Sequence, residues 1–584
     1  MLFLSQSPAP ASFSLMGLEA AFTAIAVALG FAWPRLAISV FQRVEFKFNL
    51  LARRRLMSVF VVGFSALLLR LAVLPLLPIP VPFTADDYSN LLAADTFAHG
   101  RLTNPTPAMW VHFESMHIDM KPTYMSMYFP GEGLMLAAGK VLLGNFWLAV
   151  PVVAALMCGA ICWMLQGWLP PSWALLGGFI AVLRIGVFSY WTNTYHTAGT
   201  IAAVGGALIL GCLPRLRKTL RMRLALLMAI GVVMLVVTRP YEGMLLCLPV
   251  AGNLLVGAWK RPPSVNSIVR AAIPGLVVVL VGIAWLGYYD LRVNGSPSTL
   301  PYTVNRATYA IAPYYVWQNP RPEPVYRHAE MRRFYVIDEF DDYLRVHSWS
   351  GFPVMTLVKA LRGILFFSGA VLLPPLCMLP WALRDRRMRF LVVCLLVLAA
   401  GMSVEIYLFP HYLAPFSAAF YGIGMQAMRH LWHWKPGDQP VGMAITRFTV
   451  VICVLMAGLR LFDVQLRCPV PGYPFSTWIC NWFGPDHFVP ERAKVEQRLT
   501  EISGGQLAIV RYSSTHDPVD EWVYNGAELD ASHVIWARDM GDAKNQELIH
   551  YYSSRTVWLV QPDSPSAEVI PYPVAHQVTA VSSR

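Results

Sequence analysis

Charged residues are scarce in this 584-residue chain: only 14% are Asp, Glu, Lys or Arg, whereas 56% are hydrophobic. Ordinary soluble domains have about 25% charged residues, so the shortage excludes a soluble globular protein of usual composition. The mean hydropathy of +0.48 agrees with this conclusion. The composition therefore predicts a polytopic membrane protein.

Signatures of several soluble protein classes are also missing. The sequence contains no Walker-type glycine loop, no zinc-finger spacing of Cys and His, no internal repeat and no low-complexity tract. Acidic residues are fewer than basic ones, 34 against 46, which gives a formal net charge of +12. Because the basic residues lie in short segments between apolar runs, the charge indicates membrane orientation, and we predict no nucleic-acid partner.

Cysteine chemistry is predicted for few positions. Cys468 and Cys480 follow the last apolar run and could form a disulfide if that side of the membrane is oxidising. The N-terminal sequence MLFLSQSPAPASFS lacks a basic region, so we expect no cleaved signal peptide. The other seven cysteines lie in apolar runs, where Cys acts as a small hydrophobic residue: Cys158, Cys162, Cys212, Cys247, Cys377, Cys394 and Cys453.

Apolar runs of about 20 residues predict about twelve membrane spans, because that length of helix crosses the hydrocarbon core. The segment Gly133 to Leu143 is too short to span and is predicted to lie at the membrane interface as a helix. The predicted spans are 15–33, 56–80, 146–166, 173–190, 197–213, 224–238, 244–258, 271–289, 363–383, 390–408, 413–428 and 443–460.

Arg and Lys are concentrated in one set of alternate short loops, such as residues 34–55 and 214–223. The loops that carry this excess are predicted to be cytoplasmic. The opposite set, outside the cytoplasm, then contains three long segments: 81–145, 290–362 and the tail from about residue 461. Apart from 290–362 and the tail, the basic residues of that side are only Arg101, Lys121, Lys140 and Arg239.

Two domains follow from this pattern. Residues 1–460 are predicted to form a transmembrane helical bundle with outside loops at 81–145 and 290–362, and residues 461–584 a small outside α/β domain. In the tail, strand-length apolar runs alternate with helical segments. The predicted strands are Leu507 to Arg511, Val534 to Ala537 and Val557 to Val560, and the predicted helix is Lys544 to Tyr552.

Two neighbouring aspartates, Asp86 and Asp87, follow the second predicted span in the sequence PFTADDYSN. Ionisable residues at a membrane exit indicate function, so the pair is a candidate active site. The alternative is structural, because Asp often caps the first turn of a helix, here one that begins near Tyr88. The residues alone leave both interpretations open.

Other acids and histidines lie in the same loop. Glu132, between two glycines in FPGEG, could be a second functional acid or a solvated turn residue. His112, Glu114, His117 and Asp119 offer metal-ligand chemistry, but their spacing is irregular. We therefore predict no metal ligands among them.

Several motifs together resemble those of the GT-C glycosyltransferases, in particular the branch of protein O-mannosyltransferases and bacterial aminoarabinose transferases. The resemblance includes an acidic pair in the first outside loop, many further spans and an outside tail. The motifs are FTADDYSNLLAADTFAHGRLTNPTP from Phe83, YFPGEGLML from Tyr128, SYWTNTYHTAG from Ser189, TRPYEG from Thr238, NGSPSTLPY from Asn294, FPHYLAP from Phe409 and RYSSTHDPVDEWVYN from Arg511.

This resemblance implies a membrane enzyme that moves a sugar from a polyprenyl-phosphate donor to a glycan, lipid or protein acceptor, with inversion at the anomeric carbon. It makes Asp86 the general base. Asp87 stands where the family usually has Glu, so its role as a helper with Glu132 stays open. Some such enzymes need a divalent cation and others do not, which leaves the cofactor open.

A polyprenyl phosphate needs cations at the membrane surface, and Arg suits phosphate because its planar guanidinium can donate two parallel hydrogen bonds. Arg239 in TRPYEG is predicted to bind the phosphate, with Glu242 beside it, or else to pair with Glu242 only. His411 and Tyr412 in PHYLAP could donate to phosphate or sugar. Their alternative is an interfacial aromatic beside a capping histidine.

The sequence thus predicts a mainly α membrane bundle that acts as a glycosyltransferase in a bacterial inner membrane, with its active site on the periplasmic side. A transporter or flippase of lipid-linked sugars is the alternative, in which the same charges line a translocation path. Transporters commonly carry internal repeats, which are not visible here.

Overall fold

Helices make up most of the chain in this computed structural model, which describes residues 15–196, 198–260, 262–462, 490–564 and 567–573. The mainly α architecture with a small α/β tail is therefore confirmed. Cys468 and Cys480 lie outside the described residues, as do the first fourteen positions.

The helices of the first half alternate long apolar segments with short outside ones. Their bounds are Leu15–Ala32, Ile38–Arg53, Arg55–Ala72, Ala85–Ala98, Trp110–His112, Pro130–Leu143, Phe146–Leu148, Ala149–Leu165, Pro171–Ala181, Val182–Gly186, Tyr190–Asn193, Ala198–Leu216, Met222–Val236 and Pro240–Lys260. Those of the second half are Val265–Asn294, Pro301–Tyr309, Ala329–Arg332, Arg333–Asp338, Glu339–His347, Gly351–Ser368, Leu373–Leu376, Leu379–Arg384, Arg389–Val404, Pro410–Phe416, Ser417–Trp432, Pro436–Asp438, Val441–Phe462, Glu491–Thr500 and Asp542–Tyr551.

In the part of the chain that the structure describes, eight helices are long and apolar enough to cross a membrane. Shorter apolar helices cover three more of the predicted spans, at Pro171–Gly186, Met222–Val236 and Arg389–Val404. The predicted span 363–383 differs from the structure. Its helix begins earlier, at Gly351, and ends at Ser368, because Gly369 adopts a positive φ of 57° and prolines follow it.

The first outside loop begins with helix Ala85–Ala98, which starts at a capping box. The Thr84 hydroxyl accepts a hydrogen bond from the backbone N–H of Asp87, and the Asp87 carboxylate accepts the backbone N–H of Thr84. A two-stranded antiparallel sheet, Ile118–Asp119 with Met125–Ser126, follows in the same loop. The segment predicted to be a short helix near Gly133 is the helix Pro130–Leu143.

The tail contains a four-stranded sheet in the order Val534–Arg538, Gln506–Val510, Thr556–Gln561 and Glu568–Pro571. The first three strands are parallel to one another, and the last is antiparallel to its neighbour. The predicted strands and the predicted helix are therefore all present. The edge strand Glu568–Pro571 was not predicted, since its charged and proline residues hide the apolar alternation.

The tail sheet packs directly on the first outside loop. Tyr88 stacks on Tyr524 with ring centroids 4.4 Å apart, and the Asp95 carboxylate accepts the backbone N–H of Ala527 at 2.8 Å. The Tyr124 hydroxyl donates to the backbone carbonyl of Asn525 at 2.8 Å. Helix Ala85–Ala98, which carries the acidic pair, is thus fixed by the tail and by the loop that follows it.

Candidate active site

Asp86 lies in the first turn of its helix and meets side chains from three other segments. Its Oδ1 atom contacts Nδ1 of His117 at 2.8 Å and accepts a hydrogen bond from the Tyr128 hydroxyl. Its Oδ2 atom lies 4.0 Å from Nδ1 of His196. One carboxylate oxygen is therefore held by two donors, and the other faces His196 across a gap.

The surroundings keep Asp86 ionised. Burial by itself raises the pKa of Asp86, but His196 and the hydrogen bonds from His117 and Tyr128 outweigh burial and hold this pKa well below its ordinary value. Burial lowers the pKa of His196 to about 4, so this imidazole is neutral at neutral pH. The contacts with His117 and Tyr128 are then the interactions that keep the carboxylate charged.

His117 is held in place through its backbone. Its φ of +60° is in the left-handed region, which is uncommon for a residue with a side chain. Its carbonyl accepts hydrogen bonds from the Ser89 hydroxyl at 2.6 Å and from the backbone N–H of Met127 at 3.1 Å. Such a backbone conformation concentrates at functional sites, where neighbouring contacts hold it.

His196 and His411 connect Asp86 to the helical bundle. Their Nε2 atoms are 3.0 Å apart, and Nδ1 of His411 is 2.7 Å from the Tyr190 hydroxyl. Each of the three side chains is nearly or fully buried. Tyr190 and His196 belong to the SYWTNTYHTAG motif but are not among the predicted site residues. The available signal was a polar group, TNTYH, between two apolar runs.

Asp87 points away from Asp86 and has a structural role. Its carboxylate accepts backbone N–H groups of Phe83 and Thr84, each at 3.3 Å, and of Tyr195 at 2.8 Å. Burial raises its pKa to about 6 in spite of these bonds. The capping alternative therefore describes Asp87, and the expectation that Asp87 assists in catalysis has no geometric support.

A narrow cavity next to Asp86 brings together two of the predicted residues. Glu132 and Arg239 both line it, with Tyr128, His196 and Tyr302. Phe129, Ala198 and Thr238 complete the lining. Asp86 and His411 do not line the cavity themselves, but both contact His196, which does.

Arg239 is held between an acid and an aromatic ring. Its Nη1 atom lies 3.6 Å from Oε1 of Glu242, and its guanidinium sits 4.4 Å from the centre of the Tyr412 ring. The distance to Glu242 exceeds a hydrogen bond, so the ion pair is loose. All three side chains belong to the predicted set, and the structure places them together beside the cavity.

The expected role of His411 as a phosphate ligand stays a prediction, and the contacts of its ring bear on it. Its two ring nitrogens are engaged by His196 and by the Tyr190 hydroxyl. A phosphate could be bound by His411 only at the cost of one of these contacts. Arg239 is the residue of this group whose charge faces the cavity.

No cluster of three or more His, Cys, Asp or Glu side chains among the described residues is arranged to hold a metal ion. The loop acids and histidines instead pair within the protein. Glu114 lies 3.2 Å from Arg327 and 3.3 Å from Nε2 of His328, and burial of Asp119 raises its pKa to about 8.

No protein-family model matches the sequence, and no curated protein matches it either. Solved structures do resemble the fold. ArnT from Cupriavidus metallidurans in the apo state has 13% identity and a TM-score of 0.49, and the match covers 89% of this chain and 93% of ArnT. The same protein bound to undecaprenyl phosphate has 12% identity and a TM-score of 0.48, with 86% and 92% covered.

The oligosaccharyltransferase of Archaeoglobus fulgidus, in complex with Zn and sulfate, has 10% identity and a TM-score of 0.41, with 86% of this chain and 67% of that protein covered. These neighbours are GT-C proteins, the superfamily that the sequence motifs resemble. At such identities and TM-scores the likeness concerns general architecture alone.

Proposed function

We propose that this protein is a membrane glycosyltransferase that moves a sugar from a polyprenyl-phosphate donor to an acceptor hydroxyl at the outer face of the membrane. The observation that carries the proposal is a cavity lined by the guanidinium of Arg239 and by His196, whose Nδ1 atom lies 4.0 Å from Oδ2 of the ionised Asp86. A base and a phosphate-binding cation are the two groups that such a transfer needs.

Asp86 acts as the general base. Since His117 and Tyr128 occupy Oδ1, the acceptor hydroxyl approaches Oδ2. The acceptor oxygen attacks the anomeric carbon while its proton moves to Asp86, and the bond from that carbon to the phosphate oxygen breaks on the opposite face. This single displacement inverts the anomeric configuration.

Arg239 receives the leaving phosphate. Its loose pairing with Glu242 leaves donors for the phosphate oxygens, and the Tyr412 ring supports the guanidinium from one side. Glu132, on the same cavity, hydrogen-bonds the sugar hydroxyls.

The cavity lies beside the outer ends of apolar helices, where the head group of a lipid carrier meets water. We place the protein in a bacterial inner membrane with this face in the periplasm.

The test is a transfer assay with purified protein in lipid nanodiscs, polyprenyl-phosphate donors carrying different sugars, and envelope glycolipids and peptides as acceptors. Wild type transfers one sugar, and Asp86→Asn slows transfer by about 10²- to 10⁴-fold. Asp517→Asn, on an exposed loop of the tail, keeps the wild-type rate. Equal rates in Asp86→Asn and wild type would refute the base. Movement of the intact lipid-linked sugar across the bilayer without transfer would favour a flippase.

A further inference from the structure

A row of titratable side chains runs from Asp86 into the bundle, and its first step crosses a gap longer than a hydrogen bond. It passes from Oδ2 of Asp86 to Nδ1 of His196 over 4.0 Å, from Nε2 of His196 to Nε2 of His411 over 3.0 Å, and from Nδ1 of His411 to the Tyr190 hydroxyl over 2.7 Å. The row joins the first outside loop to three segments of the helical part. Tyr190 also accepts the backbone N–H of His411 at 3.0 Å, which fixes the ring of His411 against it.

Two neutral imidazoles in contact through Nε2 have two possible hydrogen arrangements. One Nε2 must carry the hydrogen and the other must offer its lone pair. Moving one proton along the row converts the first arrangement into the second, and an added proton is shared between the two Nε2 atoms. Burial lowers the pKa of both histidines, so the pair carries no net charge at neutral pH and can accept one further proton.

The pair also lies on the side of the site where negative charge develops. His196 and Arg239 line the same cavity, and His411 is followed by Tyr412, whose ring contacts Arg239. When a phosphodiester-linked sugar leaves, the phosphate gains one negative charge. A proton held on the pair would stabilise that charge across a short distance in a poorly hydrated site.

We propose that His196 and His411 accept the proton that Asp86 removes from the acceptor hydroxyl and hold it beside the leaving phosphate. This inference rests on the proposed function. The acceptor oxygen forms a bond to the anomeric carbon, the carbon–oxygen bond to phosphate breaks with its electron pair going to phosphate, and the proton passes from Oδ2 of Asp86 to Nδ1 of His196. The shared proton leaves with the phosphate or to water, which resets Asp86.

Other groups face this row and define the competing route. His117 and Tyr128 contact Oδ1 of Asp86, Asn90 donates towards Nδ1 of His196 at 3.5 Å, and Arg239 and Glu132 line the cavity. His117 is 15% exposed through its side chain and could pass the proton to water directly. Transfer of the proton through His117 alone is the alternative, and the experiment must distinguish it from transfer through His196 and His411.

The experiment compares wild type with His196→Gln, His411→Gln and Tyr190→Phe in single-turnover transfer, across pH and in mixtures of H₂O and D₂O. The expected result is a rate about 10- to 100-fold lower in the two histidine variants, with the donor KM within about twofold of wild type. The wild-type rate should depend on the D₂O fraction along a curve, because several protons move. The dependence should become linear in His411→Gln.

Tyr190→Phe keeps the ring packing and removes only the end of the row, so it should slow transfer less than His411→Gln. His433 is exposed, so His433→Gln is the matched control and should keep the wild-type rate. Wild-type rates and an unchanged D₂O curve in both histidine variants would overturn the relay and leave Asp86 and His117 as the route. No transfer by wild type with any donor would overturn the proposed function and the relay together. Slow transfer in Asp86→Asn, with wild-type rates in both histidine variants, would overturn only the relay.

Discussion

Two buried polar clusters in this protein are built differently. In the tail, Glu521 is 3% exposed and pairs with the guanidinium of Arg538, and Arg538 also bonds the backbone carbonyl of Glu114 at 2.7 Å. At the candidate site, Asp86 has no lysine or arginine within ion-pair distance in the described residues; its partners are His117, Tyr128 and His196.

The difference concerns what the two carboxylates can do. A guanidinium stays charged at any pH that the protein meets, so the ion pair of Glu521 with Arg538 is permanent, and Arg538 links the tail to the first outside loop through the Glu114 carbonyl. Imidazole and phenol partners can gain or lose a proton, and Oδ2 of Asp86 is left facing a gap. The tail cluster is therefore suited to stability, and the Asp86 cluster to proton transfer.

The largest expected effect is on the rate at the Asp86 cluster. Asp86→Asn should slow transfer by about 10²- to 10⁴-fold, because the amide cannot take the acceptor proton. The thermal midpoint should stay close to that of wild type, since His117 and Tyr128 can still bond the side chain. Circular dichroism melts and transfer rates on the same sample check both parts. A large fall in the midpoint would assign Asp86 a structural role.

The reverse pattern is expected for the tail cluster. Arg538→Met leaves Glu521 buried without its partner and should lower the free energy of unfolding by about 3 to 5 kcal/mol. Arg345→Met, which breaks the exposed pair with Asp341, is the matched control and should change it by less than about 1 kcal/mol. Thermal unfolding with limited proteolysis of the tail measures both. Equal effects of the two variants would contradict the distinction between the clusters.

Arg239 should act on donor binding. Arg239→Ala removes the charge at the cavity and should raise the donor KM about 10- to 100-fold, because a charged hydrogen bond contributes about 1.5 to 3 kcal/mol. Arg239→Lys should restore part of the affinity, since the charge returns without the planar fork. Arg292→Ala, exposed on the outer side, serves as the control. An unchanged KM in Arg239→Ala would move the phosphate site elsewhere.

The last expected effect is a dependence of stability on pH and concerns Asp119, a buried acid outside both clusters. Burial raises its pKa from 3.8 to about 8, while Asn305 donates to it at 2.9 Å. A raised pKa means that the folded state binds the proton more tightly, so its stabilising contribution is complete below pH 4 and is lost as pH rises towards 8. Relative to Asp119→Asn, wild type should lose up to about 1.4 kcal/mol per pH unit in that range. Parallel stability curves would show that Asp119 is ionised in the fold.

Local pattern predicted much of this architecture. The apolar runs gave the helices, and the alternation around Leu507 and Val557 gave the tail strands, because both depend on spacing along the chain. The same reasoning selected Glu132 and Arg239 as site residues, and both line one cavity. Hydropathy extended the predicted span 363–383 too far, since it does not register the end of the helix at Ser368 before the positive φ of Gly369.

Partners brought together by tertiary contacts could not be predicted in this way. The sequence suggests only metal-ligand chemistry for His117. Nothing in the sequence near His117 indicates that its ring contacts Asp86. His196 and His411 are distant along the chain, so their contact depends on how the helices pack. The different roles of Asp86 and Asp87 likewise depend on a tertiary contact. The backbone N–H of Tyr195, from another segment, donates to the Asp87 carboxylate.

The most direct test of the central claim is a cryo-electron microscopy structure of the protein with a polyprenyl phosphate in nanodiscs. The account predicts phosphate density within hydrogen-bond distance of the Arg239 guanidinium, with space for a sugar between it and Oδ2 of Asp86. Phosphate bound at another position, with Arg239 still turned to Glu242 and the cavity empty, would contradict it.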